Sequence, residues 1–312
     1  FDIGLYHAKT YNQVFNANLS SSSGYDAYYV QSGSVTNKGI ELSLGYENTW
    51  SGFTWSTNYT LSANGNRLNR LASNFVNPTT GELYPVESLT LKAFGDTRFI
   101  LKEGGTLGDL YSLSDLQRDS NGNIYVDANG NVSKISVADN PVKLGSVLPK
   151  ANMSWRNDFS WKNFNLGFMV SARLGGVVYS ATQAILDSYG VSEATEDARN
   201  NGGVVVNGTD IVDAQVWYSK IGSSSNIAQY YTYSATNVRL QEVSLGYTFP
   251  RAKLWGVGDL TLSLVGRNLL MIYNKAPFDP EAVATTGNNY QGVDYFMMPS
   301  TRSMGFNVKL KF

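Results

Sequence analysis

The chain has 312 residues, and 24 Lys and Arg against 25 Asp and Glu leave a net charge of -1, so no basic surface invites nucleic acid as a partner. Cysteine is absent and His7 is the single histidine, which excludes disulfides, zinc–thiolate sites, Cys nucleophiles and multi-histidine metal centres. No apolar run approaches the roughly 18 residues of a membrane-spanning helix, while aromatics reach 13% and Tyr alone numbers 20.

Apolar and polar residues already alternate at Phe1-Asp2-Ile3-Gly4-Leu5-Tyr6, so the chain is expected to open inside a strand of a longer polypeptide. His7 continues that strand as an ordinary member. The same period of two returns at Ile40, Leu42, Leu44 and Tyr46, then at Phe53, Trp55, Tyr59 and Leu61. It resumes at Met153, Trp155 and Phe159, and again from Phe164 through Phe168 to Leu174. Val243, Leu245, Tyr247 and Phe249 form the next row, followed by Leu260, Leu262 and Leu264. Met304, Phe306, Val308, Leu310 and Phe312 close the series. About eight strands are therefore predicted, most near the roughly 9–11 residues that cross a bilayer at a tilt.

The connections between them alternate in length. Short ones fall at residues 49–52, 161–163 and 250–258; long ones cover about 11–33, 67–147, 177–231 and 275–299. Short turns at one end and long loops at the other are the mark of an outer-membrane barrel, and this phase puts the C-terminus in the periplasm. The polar rows carry Glu41, Glu47, Arg156, Asp158, Arg173, Glu242 and Lys309, which suits a wide, hydrated lumen. Trp50, Trp161, Phe249 and Trp255 near the short turns, with Tyr273 near a long loop, are placed as interfacial belts are. Inside the loops, Asp119-Ser120-Asn121-Gly122-Asn123 and Asp127-Ala128-Asn129-Gly130-Asn131 read as Asn-Gly turns; neither has the spaced carboxylates of a calcium loop. Residues 181–189 are predicted to form a short helix, with Ser180 as N-cap and Gly190 as stop.

The sequence resembles the C-terminal part of the barrel of SusC/RagA-type TonB-dependent outer-membrane transporters of Bacteroidota. The words that carry the resemblance begin with Asn37-Lys38-Gly39-Ile40-Glu41-Leu42 and Leu144-Gly145-Ser146-Val147-Leu148-Pro149-Lys150. Asp197-Ala198-Arg199-Asn200-Asn201-Gly202-Gly203 and Asn237-Val238-Arg239-Leu240-Gln241-Glu242-Val243-Ser244-Leu245-Gly246-Tyr247 follow. Gly266-Arg267-Asn268-Leu269, Asp279-Pro280-Glu281-Ala282 and Pro299-Ser300-Thr301-Arg302 complete the ordered set. The resemblance implies an antiparallel transmembrane barrel of about 22 strands with a plug in its lumen. Residues 1–312 then form its C-terminal portion, and the plug domain and N-terminal strands lie outside this chain. A SusD-like lipoprotein lid, energy from TonB, the lipid bilayer and oligosaccharide or peptide cargo are the implied partners. The final strand, with Phe306, Val308, Leu310 and Phe312, is similar to the signal read by the outer-membrane assembly machinery.

Candidate ligand or lid contacts are the loop aromatics and carboxylates Tyr111, Asp115, Trp217, Tyr218, Asp279, Glu281, Tyr290, Asp294 and Tyr295. Aromatic faces pack on sugar rings or peptide side chains, and carboxylates accept from hydroxyls and amides. The competing reading of each is packing within its own loop. No cofactor, metal or catalytic constellation is expected. A barrel hydrolase built on a pair such as Asp109 and Asp115 lacks its supporting groups. A soluble β-rich glycan-binding or adhesive module is the other alternative.

Overall fold

The structure is a computed structural model, and it describes residues 1–18, 27–71, 75–76, 81, 83–84, 87–250, 258–285 and 291–312. Eight long strands form one sheet in strict chain order, every pair antiparallel. They are β1 (Asp2–Asn18), β2 (Ala27–Trp50), β3 (Phe53–Arg70), β4 (Ala151–Trp161), β5 (Phe164–Leu174), β6 (Asn237–Phe249), β7 (Asp259–Asn274) and β8 (Ser303–Lys311). Each contains one of the alternating segments read from the sequence.

Cross-strand register sorts the side chains into two faces, because partners across a sheet share a side. One face carries rows such as Ile3–Leu42–Leu61–Met153–Ala172–Val238 and Trp55–Phe159–Leu166–Leu245–Leu264–Phe306. The other carries Glu41–Ser62–Asn152–Arg173–Asn237 and Asn58–Arg156–Met169–Glu242–Arg267–Ser303.

The apolar face is bare. Leu5 is 76% exposed, Leu264 65% and Phe306 66%. The buried core lies instead in the long connections, where Leu101, Leu110, Leu116, Tyr179, Ile227 and Tyr231 pack together. A water-soluble sheet buries its oily face first, so this inversion identifies the apolar face as a surface for a nonaqueous environment. Two of the polar groups on it are held by indoles. Asn157 is only 2% exposed and accepts from the Trp55 indole at 3.1 Å, while Thr57 accepts from the Trp155 indole at 3.0 Å. Phe159 and Phe168 close over the same spot, with ring centres 6.1 Å apart.

Two expectations need correction. The strands are not uniformly 9–11 residues: β1, β2, β3 and β7 have 17, 24, 18 and 16. The predicted long connection at 11–33 is accordingly mostly strand, and only 19–26 lie between β1 and β2. The cause is a bulge. Asn12 takes φ 52°, the register shifts on either side of Gln13, and the faces exchange, so alternation fails while pairing continues. The turns at 51–52 and 162–163 are as short as expected, with Ser51 and Lys162 at positive φ. Most of 250–258, with Trp255, lies outside the described residues. Trp50 and Trp161 stand exposed at the short-turn end, the Lys162 ammonium 4.9 Å above the Trp161 ring.

Candidate functional site

The long connections emerge from one end of the sheet and fold into a layer of their own. Residues 88–94, 97–102, 109–112 and 142–146 build a small antiparallel sheet in the connection between β3 and β4. Its two Asn-Gly turns are closed by their own carboxylates: Asp119 Oδ1 accepts from the Asn121 and Asn123 amides, Asp127 Oδ1 from those of Asn129 and Asn131. Desolvation acts to raise the Asp119 carboxyl, but the bonds to it together outweigh that, and at Asp127 the Asn131 amide bond acts first, so both carboxyls are held below their ordinary range. Among the described residues no group of three His, Asp or Glu side chains is arranged to hold a metal ion.

The next connection carries the predicted helix, α1 (Ala181–Ser188), with the Ser180 hydroxyl accepting from the Gln183 amide and Gly190 at φ 68° beyond its end. Two more helices follow, α2 (Glu193–Asn200) and α3 (Ala214–Ile221). Neither was predicted from the sequence; Ser192 caps the first by accepting from Thr195, and Asp213 the second by accepting from Gln215 and Val216. The word Asp197–Gly203 is the end of α2, where the Gly203 amide reaches back to the Ala198 carbonyl over Gly202 at φ 81°.

Three of the sequence words converge at Arg239 on the polar face of β6. Its guanidinium binds Asp279 at 2.8 Å and Glu281 at 2.9 Å and reaches Ser300 Oγ at 3.4 Å. Ser300 also donates to Asp279. The side chains of Arg239 and Asp279 are 7% and 8% exposed. Burial acts to raise the Asp279 carboxyl, but bonds from Ser300, the Glu281 amide and Arg239 outweigh it and lower the pKa. The result is a latch that pins the last long connection to the sheet. Asp279 is thereby committed to Arg239, and Glu281 is left partly open.

Lower on the same face an ionic network crosses the strands. Arg156 pairs with Asp158 at 2.8 Å and with Glu242 at 3.4 Å, and Arg267 meets Glu242 at 2.9 Å. These groups are partly exposed, as on a wall facing water.

The other candidate contacts divide. Tyr111 is buried, its phenol pKa raised first by burial and then opposed by Lys143, and the Lys102 ammonium stands 5.2 Å from the ring. Asp115 pairs with Arg118 at 3.4 Å and Asp109 with Lys143, so each carboxylate of the suggested hydrolytic pair serves its own ion pair. Asp294 is buried and accepts from Ser180 at 2.5 Å. Tyr295 is exposed, its ring 5.2 Å from that of Phe94. Tyr290 lies outside the described residues.

Trp217 and Tyr218 come together on α3. They line a cavity of about 640 Å³ with Asp187, Tyr230, Tyr231 and Tyr233. A second cavity, about 470 Å³, shares Asp187 and Tyr218 and adds Arg199 and Asp213. Burial, then the Asp187 charge, pushes the Tyr233 phenol up to about 12 and raises Tyr231 further. Asp187, Tyr231 and Tyr233 were not singled out from sequence; the Gln183–Asp187 spacing on α1 was the available signal.

An antiparallel wall with an oily face, an ionic face and all its long loops at one end fits the pattern of an outer-membrane transport barrel. No family model matches the chain. Among curated proteins it is 29% identical over 332 residues to TonB-dependent receptor P3 of Formosa agariphila, covering 98% of this chain and 32% of the relative. It is 22% identical to the TonB-dependent receptor SusC of Bacteroides thetaiotaomicron, over 98% of this chain and 29% of SusC. A chain of the RagAB peptide transporter superposes with a TM-score of 0.70 at 17% identity, over 99% of this chain and 33% of that one. The chain is thus similar along nearly its whole length to SusC/RagA-type TonB-dependent receptors, and it spans about a third of the length of the relatives it matches.

Proposed function

We propose that this chain is the C-terminal wall and loop layer of an outer-membrane, TonB-dependent active importer of oligosaccharides or peptides. The bare apolar face, continuous over eight strands, supports this most directly: it is a surface for lipid tails. The wall belongs to a larger barrel of about 22 strands whose lumen holds a plug. The ionic face lines that lumen, the loop layer meets cargo and a SusD-like lipoprotein lid, and TonB acts through the part outside this chain. The short-turn end and the C-terminus face the periplasm. Phe306, Val308, Leu310 and Phe312 serve as the assembly signal. The names of SusC and of the RagAB peptide transporter support import without choosing between glycan and peptide.

The test uses the full-length protein in its own cells. It should fractionate with the outer membrane, need detergent, migrate differently before and after heating, and co-purify with a lipoprotein. Deleting it, or TonB, should abolish uptake of its cargo. Recovery as a detergent-free soluble protein would instead support the adhesive or glycan-binding module.

A further inference from the structure

The apolar face carries one patch that lipid tails cannot satisfy. Beyond the row Leu5–Ile40–Ala63, toward the long connections, come His7–Lys38–Gly65 and then Lys9–Thr36–Arg67. Three cations and an imidazole therefore share one side of three adjacent strands, and all four are exposed. The acids of these strands, Asp2, Glu41 and Glu47, lie on the polar face. Lys9, Lys38 and Arg67 form no ion pair among the described residues. The Lys9 ammonium stands 4.9 Å from the centre of the Tyr11 ring. Like charges side by side on a sheet repel, so the patch is incomplete without an anion. Between Lys9 and Arg67, the Thr36 hydroxyl accepts from the Asn69 amide at 2.7 Å and keeps its own proton to donate.

The height of the patch decides which anion that is. The outward row of β2 runs Trp50, Asn48, Tyr46, Leu44, Leu42 and Ile40 before it reaches Lys38. Lys38 stands about 12 residues from Trp50, which at roughly 3.3 Å per residue and a tilt of about 45° is ~28 Å of height. The apolar band of such a wall is about 25 Å tall. The cations thus come just past the lipid tails, at the level of the headgroups, where a charge on this face costs little. A shallow groove of about 630 Å³ opens beside Lys38, lined by Leu5, Ile40, Ala63 and Gly65, with Lys150 at its border. At their loop ends β4, β5, β6 and β7 present Ala151, Leu174, Val238 and Tyr273 to the same face, so the charge is a local patch and not a girdle.

We infer that this patch binds the phosphate of an acylated glycolipid of the outer leaflet, of the lipid A class. Lys9, Lys38 and Arg67 give the phosphate charge-assisted hydrogen bonds, with the Thr36 hydroxyl between them. The acyl chains lie in the groove and over Leu5 and Ile40. The inference goes beyond the import reading but rests on it, because that reading turns the loop end of the sheet to the cell exterior.

The full-length protein, purified in detergent and stripped of lipid, is titrated with monophosphoryl lipid A, with the same lipid after removal of its phosphate, and with inorganic phosphate. Saturable binding of the phosphorylated lipid is expected, about tenfold or more tighter than that of either other probe. Lys38→Gln combined with Arg67→Gln should weaken it about tenfold or more while the protein keeps its heat-modifiable migration. Lys9→Gln alone, with a smaller loss in the same direction, serves if the double variant fails to fold. Equal affinity for the two lipids, or affinity unchanged in a folded variant, overturns the site. Inorganic phosphate binding as tightly as the lipid overturns the lipid as its ligand. No binding by the wild-type protein means that carboxylates of a neighbouring protein segment fill the patch, and the inference falls. A protein that resides in the outer membrane but binds no phosphorylated lipid loses the patch and keeps the import reading; one recovered without detergent loses both.

Discussion

Replacing Arg239 by Met strips the cation from the latch while keeping the length of its apolar stem. Asp279 then remains at 8% exposure with its charge uncompensated. Removing one partner of a buried ion pair costs about 3–5 kcal/mol. Asp279 keeps the Ser300 hydroxyl and the Glu281 amide, which favours the lower end of that range. Glu281 is 40% exposed, so after solvent screening its share is at most about 0.5 kcal/mol. A local loss of about 3 kcal/mol raises the open population of the last connection roughly a hundredfold. Hydrogen exchange on the full-length protein reads this at the Glu281, Ala282 and Ala284 amides, which bond to Asp279 and Val293. Adding Asp279→Leu should recover most of the protection at Ala282 and Ala284, whose amides bond main-chain carbonyls, but not at Glu281, whose acceptor is the Asp279 side chain. Protection unchanged in the single variant would refute the view that Arg239 holds this loop.

The same latch predicts a pH response. The Asp279 carboxyl has a lowered folded pKa, so its contribution is full above the unfolded value of about 4 and disappears as pH falls through the folded value. Protease resistance of residues 275–302 should therefore persist down to about pH 4 and be lost below it; loss between pH 7 and 5 would point to another group. Deleting Phe312 should lower the amount of folded protein in the outer membrane, scored by heat-modifiable migration, and unchanged levels would count against an assembly role. On the apolar face, Trp55→Phe leaves Asn157 without the donor to its Oδ1 and should cost about 1–3 kcal/mol. Adding Asn157→Leu should restore stability, since the Asn157 Nδ2 is already unpartnered. A double variant less stable than the single one in urea unfolding would show that the pair does more than satisfy itself.

Alternation marked the centre of every long strand because lipid-type and water-type faces impose a period of two wherever the ladder is regular. It failed where the ladder bulges. Asn12 is one such point; Asn268, also at φ 52°, is another, and it explains the word Gly266-Arg267-Asn268-Leu269 as a bulge opposite Gln241. Gly39 has an equally local cause: a Cβ there would lie 2.3 Å from the Tyr6 ring and 2.5 Å from the Ala63 carbonyl oxygen. The latch and the cavity were not legible in this way. Arg239 and Asp279 are 40 positions apart, and their pairing depends on how a loop folds back. Asp187 gained its aromatic surroundings only when three short helices and the 228–231 turn packed together. Several loop aromatics, among them Phe99, Tyr179, Trp217 and Tyr231, are core, because connections of this length need an apolar interior to hold a shape.

The edges of the sheet bear on what surrounds it. β1 and β8 each have a single hydrogen-bonded neighbour among the described strands, and every residue of β8 is exposed. In hydrocarbon, an unpaired N–H or C=O costs several kcal/mol, so a lipid-facing sheet must pair both edges. Closing eight strands on themselves would leave an interior about wide enough for packed side chains alone. That does not suit a face carrying the network of Arg156, Asp158, Glu242 and Arg267, whose partly exposed groups keep their charge through contact with water. The import reading resolves both demands together: further strands of the same barrel pair the edges of β1 and β8, and the wider lumen they create hydrates the ionic face.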